Sequence, residues 1–111
     1  MRTVRDRLID VSEAIDRIER QAQGGSQSFL GDPLVQVWMI HHIQIIGEAI
    51  RAVSQDLKAL DPTTPWAQIV GMRHILVHDY FGIDLNEVWG VIERDIPSLK
   101  QSVIHLLEIL P

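Results

Sequence analysis

A chain of 111 residues, 46% hydrophobic and 23% charged, suits one globular domain over residues 1–111 and excludes a disordered or fibrous polymer. It has no cysteine, which excludes disulfides, zinc–thiolate centres and thiol catalysis. The formal charge is −5, with seven basic and eight acidic groups over residues 1–60 and three and seven over 61–111. Phosphate contacts dominate nucleic-acid affinity, so this balance disfavours strong, non-specific binding to RNA or DNA. Chemistry on a nucleic acid would need a local basic site or a selected substrate.

The first element is an amphipathic helix from about residue 2 to about residue 22. Val4, Leu8, Val11, Ile15 and Ile18 recur at spacings of four, three, four and three, one apolar stripe on a charged helix. The opening MRTVRDRLID is interrupted by charge and has no signal-peptide core, so a cytoplasmic location is expected. Gly24-Gly25-Ser26 reads as a flexible break.

Asp32-Pro33 then gives an N-cap followed by proline at the first helical position. The helix it opens is expected to reach Leu60, where Asp61-Pro62 stops it. Its stretch from Leu34 to Ile50 is broken by Gln36, His41, His42, Gln44 and Glu48, so it is no membrane span. Its apolar residues go most of the way round, and such a helix needs more than one partner surface. In so small a chain the second surface is expected to be another copy of the protein.

Thr64-Pro65-Trp66 repeats the cap-then-proline pattern and opens a third helix through about Asp79. Asp84 and Glu87 suit a capping box for a fourth, whose stripe from Leu85 to Leu110 is kinked or divided at Pro97. No strand alternation, hairpin signal or internal repeat is present. The expected architecture is all-α: a bundle of four main helices with a kinked C-terminal helix, homodimeric.

The densest polar cluster is Gly71-Met72-Arg73-His74-Ile75-Leu76-Val77-His78-Asp79-Tyr80. Seven residues make about two helical turns, so Arg73, Val77 and Tyr80 fall nearly on one line, with His74 and His78 on a neighbouring stripe. Cleaving RNA without a metal needs a base for the 2′-hydroxyl proton, an acid for the departing 5′-oxygen, and positive charge on the phosphorane. Histidine transfers protons near neutral pH, and arginine grips phosphate oxygens bidentately.

Plainer readings stand beside this one. Arg73 and His78 could form a structural cluster with Asp79, and Tyr80 could be a core-edge tyrosine with a bonded hydroxyl. His74 and His78, or His41 and His42, could ligate a metal, although no cysteine or H-E-x-x-H pattern supports it. On the second helix His41, Gln44, Glu48, Arg51 and Gln55 form a polar line: either a solvent face, or the border of a catalytic cleft with Glu48 pairing Arg73 or Arg51. Gly47 and Gly71, each alone, suit close helix contact better than phosphate binding. Trp38, Trp66 and Trp89 are read as core or interface anchors.

Arg73, His74, His78 and Tyr80 form an R-x-x-x-x-H motif with an H-x-Y ending that resembles the signature of the HEPN ribonucleases. The similarity extends to Ile46-Gly47-Glu48-Ala49, Pro65-Trp66, Gly71-Met72, Tyr80-Phe81-Gly82-Ile83-Asp84 and Val88-Trp89, from about residue 30 to about residue 100. It is closest to the HepT-like branch, ribonuclease toxins paired with a small nucleotidyltransferase antitoxin of the MntA type. The resemblance implies a dimer that brings two motif copies into one cleft, and metal-independent endoribonuclease cleavage leaving cyclic phosphate ends. Arg73 and His78 would be catalytic, His74 and Glu48 supporting. The antitoxin would transfer AMP to Tyr80, whose added charge repels RNA. No cofactor is implied, and the acidic net charge fits a selected RNA such as a tRNA or an mRNA. A reading from another class is a non-catalytic helical module that binds and assists a nucleotidyltransferase.

Overall fold

The computed structural model of the chain describes residues 2–78 and 82–110, with the backbone alone at 77 and 78. Among them every regular element is helical: α1 Val4–Ala22, α2 Gly25–Gly31, α3 Pro33–Arg51, α4 Gln55–Lys58, α5 Trp66–His78, α6 Leu85–Gly90, and α7 Ile96–Ile109 after a π-helical turn over Val91–Asp95. The four expected helices correspond to α1, α3, α5 and the run from α6 through the π-helical turn to α7, while α2 and α4 are additional. Helix α3 lies between α1 and α5, and α7 closes the bundle on α1.

Helix α1 starts at a capping box: the Thr3 hydroxyl accepts from the Asp6 N–H while Asp6 accepts from the Thr3 N–H, each at 3.0 Å. Its stripe buries Leu8, Val11, Ile15 and Ile18 as read from the spacing, and Val4 stays at the surface. The break falls where expected, as a two-residue turn over 23–24. Gly25 takes a positive φ of 78°, which its missing Cβ permits, and the chain re-enters a helix there.

Asp32 caps α3 as expected, accepting from the Leu34 N–H at 2.9 Å with Pro33 in the first turn. The helix stops well short of Leu60. The Ala52 and Val53 N–H groups close short bonds to Ala49 and Ile50. Ser54 then takes an extended conformation, and its hydroxyl accepts from the Leu57 N–H to start α4. Further along, Thr64 is buried and bonds the Ser102 hydroxyl of α7, so it ties the α4–α5 connection to the bundle instead of capping α5.

Asp84 accepts from the Asn86 N–H at 2.9 Å, an N-cap in which Glu87 supplies no return bond. The expected kink or division at Pro97 takes the form of a π-helical turn that divides the last helix just before it. Proline has no N–H to give the Glu93 carbonyl, and its ring crowds that position. The ladder widens just before it, with the Ile96 N–H bonding the Val91 carbonyl five residues back.

That turn buries Asp95, and its Oδ2 has no hydrogen-bond partner among the described residues. Burial raises the carboxyl's pKa, opposed by the neighbouring Arg94. A raised folded pKa means the native state binds more protons than the unfolded chain between the two values. The penalty of the buried charge is therefore absent below the unfolded pKa and complete above the folded one. Asp95→Asn should stabilise the protein at pH 7 by about 1 kcal/mol, the scale of an unsatisfied buried polar group. Thermal unfolding of the two proteins should converge as the pH falls; an equal gap at all pH values would contradict this account.

Candidate functional site

Helices α3 and α5 touch at Gly47. A Cβ at that position would overlap the Arg73 Cβ and lie 3.0 Å from its Cγ, so the glycine is the notch in which the arginine stem rests. This bears out the close-contact reading for Gly47. For Gly71 the same reading is incorrect, since a Cβ there would meet nothing within 4 Å.

From the notch, the Arg73 guanidinium pairs with Glu48 Oε2 at 2.8 Å. Arg73 is about one-quarter exposed, while Glu48 is mostly open to solvent. The pair is thus screened and of small worth to stability, yet it fixes where the cation sits. Both line a groove of about 380 Å³ together with His41 and Gln44 of α3 and Arg7 and Asp10 of α1. The polar line on the second helix therefore divides. His41, Gln44 and Glu48 border the Arg73 groove, whereas Arg51 and Gln55 line a different one.

His74 follows Arg73 by one residue, about 100° round the helix, and lines that other groove. His78 is the last residue of α5. Tyr80 and Asp79 lie outside the described residues, and with them the proposed modification site and the Asp79 ion-pair alternative. Arg7 and Asp10 were not apparent in the sequence as site residues; they sit among the alternating charges of α1, and only its packing on α3 brings them to Arg73.

The His41–His42 pair does not offer two ligands. His42 is buried, its Nδ1 lies 2.8 Å from the Trp38 carbonyl, and its ring meets that of His41 edge-on. Burial holds its pKa below the usual histidine value, against the opposing pull of the Trp38 bond. A neutral ring donating from Nδ1 is the form this arrangement favours. No group of three or more His, Asp or Glu among the described residues is gathered as a metal would require. No described helix is long and apolar enough to cross a membrane.

The three tryptophans act as anchors. The Trp66 Nε1–H is shared between the Lys58 and Asp61 carbonyls at 3.2 and 3.1 Å, and Trp89 packs on Phe29 with ring centroids 5.6 Å apart. Trp38 donates to the Arg17 carbonyl but keeps much of its ring exposed.

With this geometry in place, comparison with known proteins is specific. The family described as "Ribonuclease HepT-like" matches residues 11–106. A Thermococcus cleftensis protein named "Probable ribonuclease HepT" is 40% identical over 100 residues, which is 89% of this chain and 91% of that one. A Methanocaldococcus jannaschii protein named "Putative RNase MJ1380" is 36% identical over 103 residues, 92% of this chain and 94% of its own. No solved structure matches.

Proposed function

The chain belongs to the HepT-like ribonuclease family, and from that premise we propose that it is an endoribonuclease that cleaves RNA without a metal ion. The observation that carries the reading is Arg73, seated against Gly47 in an open groove five residues ahead of His78 on the same helix. The RNA phosphate displaces Glu48 from the guanidinium, which then donates to two phosphate oxygens and holds the charge that builds on the phosphorane. The 2′-oxygen attacks phosphorus and loses its proton as the bond to the 5′-oxygen breaks and that oxygen gains one. The products are a 2′,3′-cyclic phosphate and a 5′-hydroxyl end. His78 serves in the proton transfer, and Glu48 positions Arg73 between turnovers.

The same premise extends to assembly and control. On α3, Leu34, Trp38, His41, Ile45 and Glu48 follow one another at spacings of four, three, four and three, so the exposed apolar end of the helix runs directly into the Arg73 groove. Leu34 is 81% exposed and Val37 54%, an apolar surface suited to a second copy. A homodimer built there sets two grooves side by side. In the toxin–antitoxin setting, an MntA-type nucleotidyltransferase moves AMP from ATP to the Tyr80 oxygen, with pyrophosphate leaving. The added phosphate beside the motif then opposes RNA binding.

The test is cleavage of a cellular RNA pool by the purified protein, with and without excess EDTA. Cuts ending in cyclic phosphate at an unchanged rate in EDTA are the expected result. Activity that needs a divalent cation would overturn the metal-free mechanism, and no cleavage by the folded protein would overturn the ribonuclease itself.

A further inference from the structure

Arg51 and Lys58 are the only arginine or lysine residues between Arg20 and Arg73, a run otherwise free of positive charge. The fold brings both to one place. With His74 they line a groove of about 850 Å³ between the α3–α4 connection and α5, and no carboxylate is among its lining residues that the structure describes. Neither Arg51 nor Lys58 forms an ion pair among the described residues, where the Arg73 groove by contrast holds Glu48 and Asp10 beside its two arginines.

Lys58 makes this arrangement unusual. It is only 8% exposed, in a protein of net charge −5 with acidic groups to spare. Its stem accounts for that burial: Nζ is not among the fully buried unpartnered side-chain atoms, so the ammonium keeps contact with solvent at the groove with no carboxylate paired to it among the described residues. Burial lowers its pKa. Leaving two cations uncompensated on one groove wall is what an anion-binding surface requires, and Gln55 and Gln68 add amide donors to the same lining.

We propose that this groove binds the phosphodiester backbone of the RNA strand beside the scissile bond, through Arg51 and Lys58. The proposal rests on the ribonuclease reading and adds a second anchor to it. Arg73 and His74 are adjacent on α5 and open onto different grooves about 100° apart, so a strand laid across that helix passes from Arg73 to the Arg51–Lys58 groove. This supplies the local basic site that an acidic ribonuclease needs. A ligand too short to span α5 gains nothing from it.

The experiment compares wild type with an Arg51→Gln/Lys58→Met double variant and a Lys58→Arg variant, with thermal unfolding checked for each. Glutamine at an exposed position and methionine in place of the lysine stem keep the packing close to native. Binding of a labelled 20-nucleotide 2′-O-methyl strand, which lacks the attacking hydroxyl, is followed by fluorescence anisotropy across a salt series. Cleavage kinetics are taken on the matching RNA and on a dinucleotide. The double variant should bind the strand about tenfold more weakly. Its log–log salt slope should be shallower by about 1.4, roughly 0.7 for each single-strand phosphate that is no longer neutralised. KM for the long RNA should rise with kcat unchanged, kinetics on the dinucleotide should not move, and Lys58→Arg should bind as wild type does. That binding pattern supports the groove even if wild type cuts nothing, a result that would count against the ribonuclease reading alone. A folded double variant with wild-type affinity and salt slope overturns the groove and leaves the Arg73 site untouched. A wild-type protein that does not bind the strand also overturns it.

Discussion

Arg73→Ala and His78→Ala should each reduce RNA cleavage by about 10³-fold, and both should unfold within a few degrees of wild type. The rate follows from the roles proposed. Removing a group that stabilises developing charge costs about 10² to 10³ in kcat, and removing a positioned proton-transfer group about 10² to 10⁴. The stability follows from the surroundings. Among the described residues Arg73 is paired only with an exposed carboxylate, an interaction of about 0–1 kcal/mol. Alanine also keeps the Cβ that rests against Gly47, so the helix contact survives. His78 is the terminal residue of α5, and alanine there is a good helix former. Arg73→Lys should fall between wild type and Arg73→Ala, because the charge remains and the bidentate grip does not. Growth inhibition on induced expression should follow cleavage. A folded His78→Ala protein that still cleaves RNA at the wild-type rate would remove that residue from the mechanism.

The helices were legible where one local rule decided them. The α1 stripe and the Asp32-Pro33 start needed only spacing and cap chemistry, and both hold. The end of α3 was not legible for a physical reason: Val53, Leu57 and Leu60 continue the apolar pattern across a break made by one serine hydroxyl at Ser54. Thr64 misled in the opposite way. Its cap chemistry is real, but a tertiary partner on α7, Ser102, takes the hydroxyl. Pro97 announced a kink without announcing that a π-helical turn, and not a gap, would absorb it.

The site divides along the same line. Arg73 and His74 were visible because they are adjacent in a dense polar run, and Glu48 was visible as one of two possible pairings. That Arg73 and His74 open onto different grooves follows from their 100° offset once α3 is known to pack on one side of α5. Arg7, and Lys58 on its short helix, carry no local mark at all. Their neighbours in sequence have no role in the site, and only the packing of α1 and the turn after α3 bring them there.

Gly47 joins fold to chemistry, and Gly47→Ala should impair activity far more than stability. In a helix interior, alanine is favoured over glycine by about 1 kcal/mol, so propensity alone predicts a gain. Against it, the new methyl would overlap the Arg73 Cβ, which belongs to the rigid start of the side chain and cannot swing aside as a chain end would. Overpacking of this kind costs about 1–3 kcal/mol, leaving a net loss of about 1 kcal/mol and a fall of about 4 °C in Tm. The relief available is for α5 to move away from α3, and that movement carries Arg73 with it. A misplacement of about 1 Å at a positioning group costs about 10²-fold in rate. Gly71→Ala supplies the opposite sign on the same helix: its methyl enters open space, so the propensity gain stands and Tm should rise. Measured together, a Gly47→Ala protein that is slightly less stable and roughly a hundredfold slower would identify the notch as the device that aims Arg73. A Gly47→Ala protein with wild-type cleavage would mean that the arginine finds its phosphate from wherever its backbone is placed.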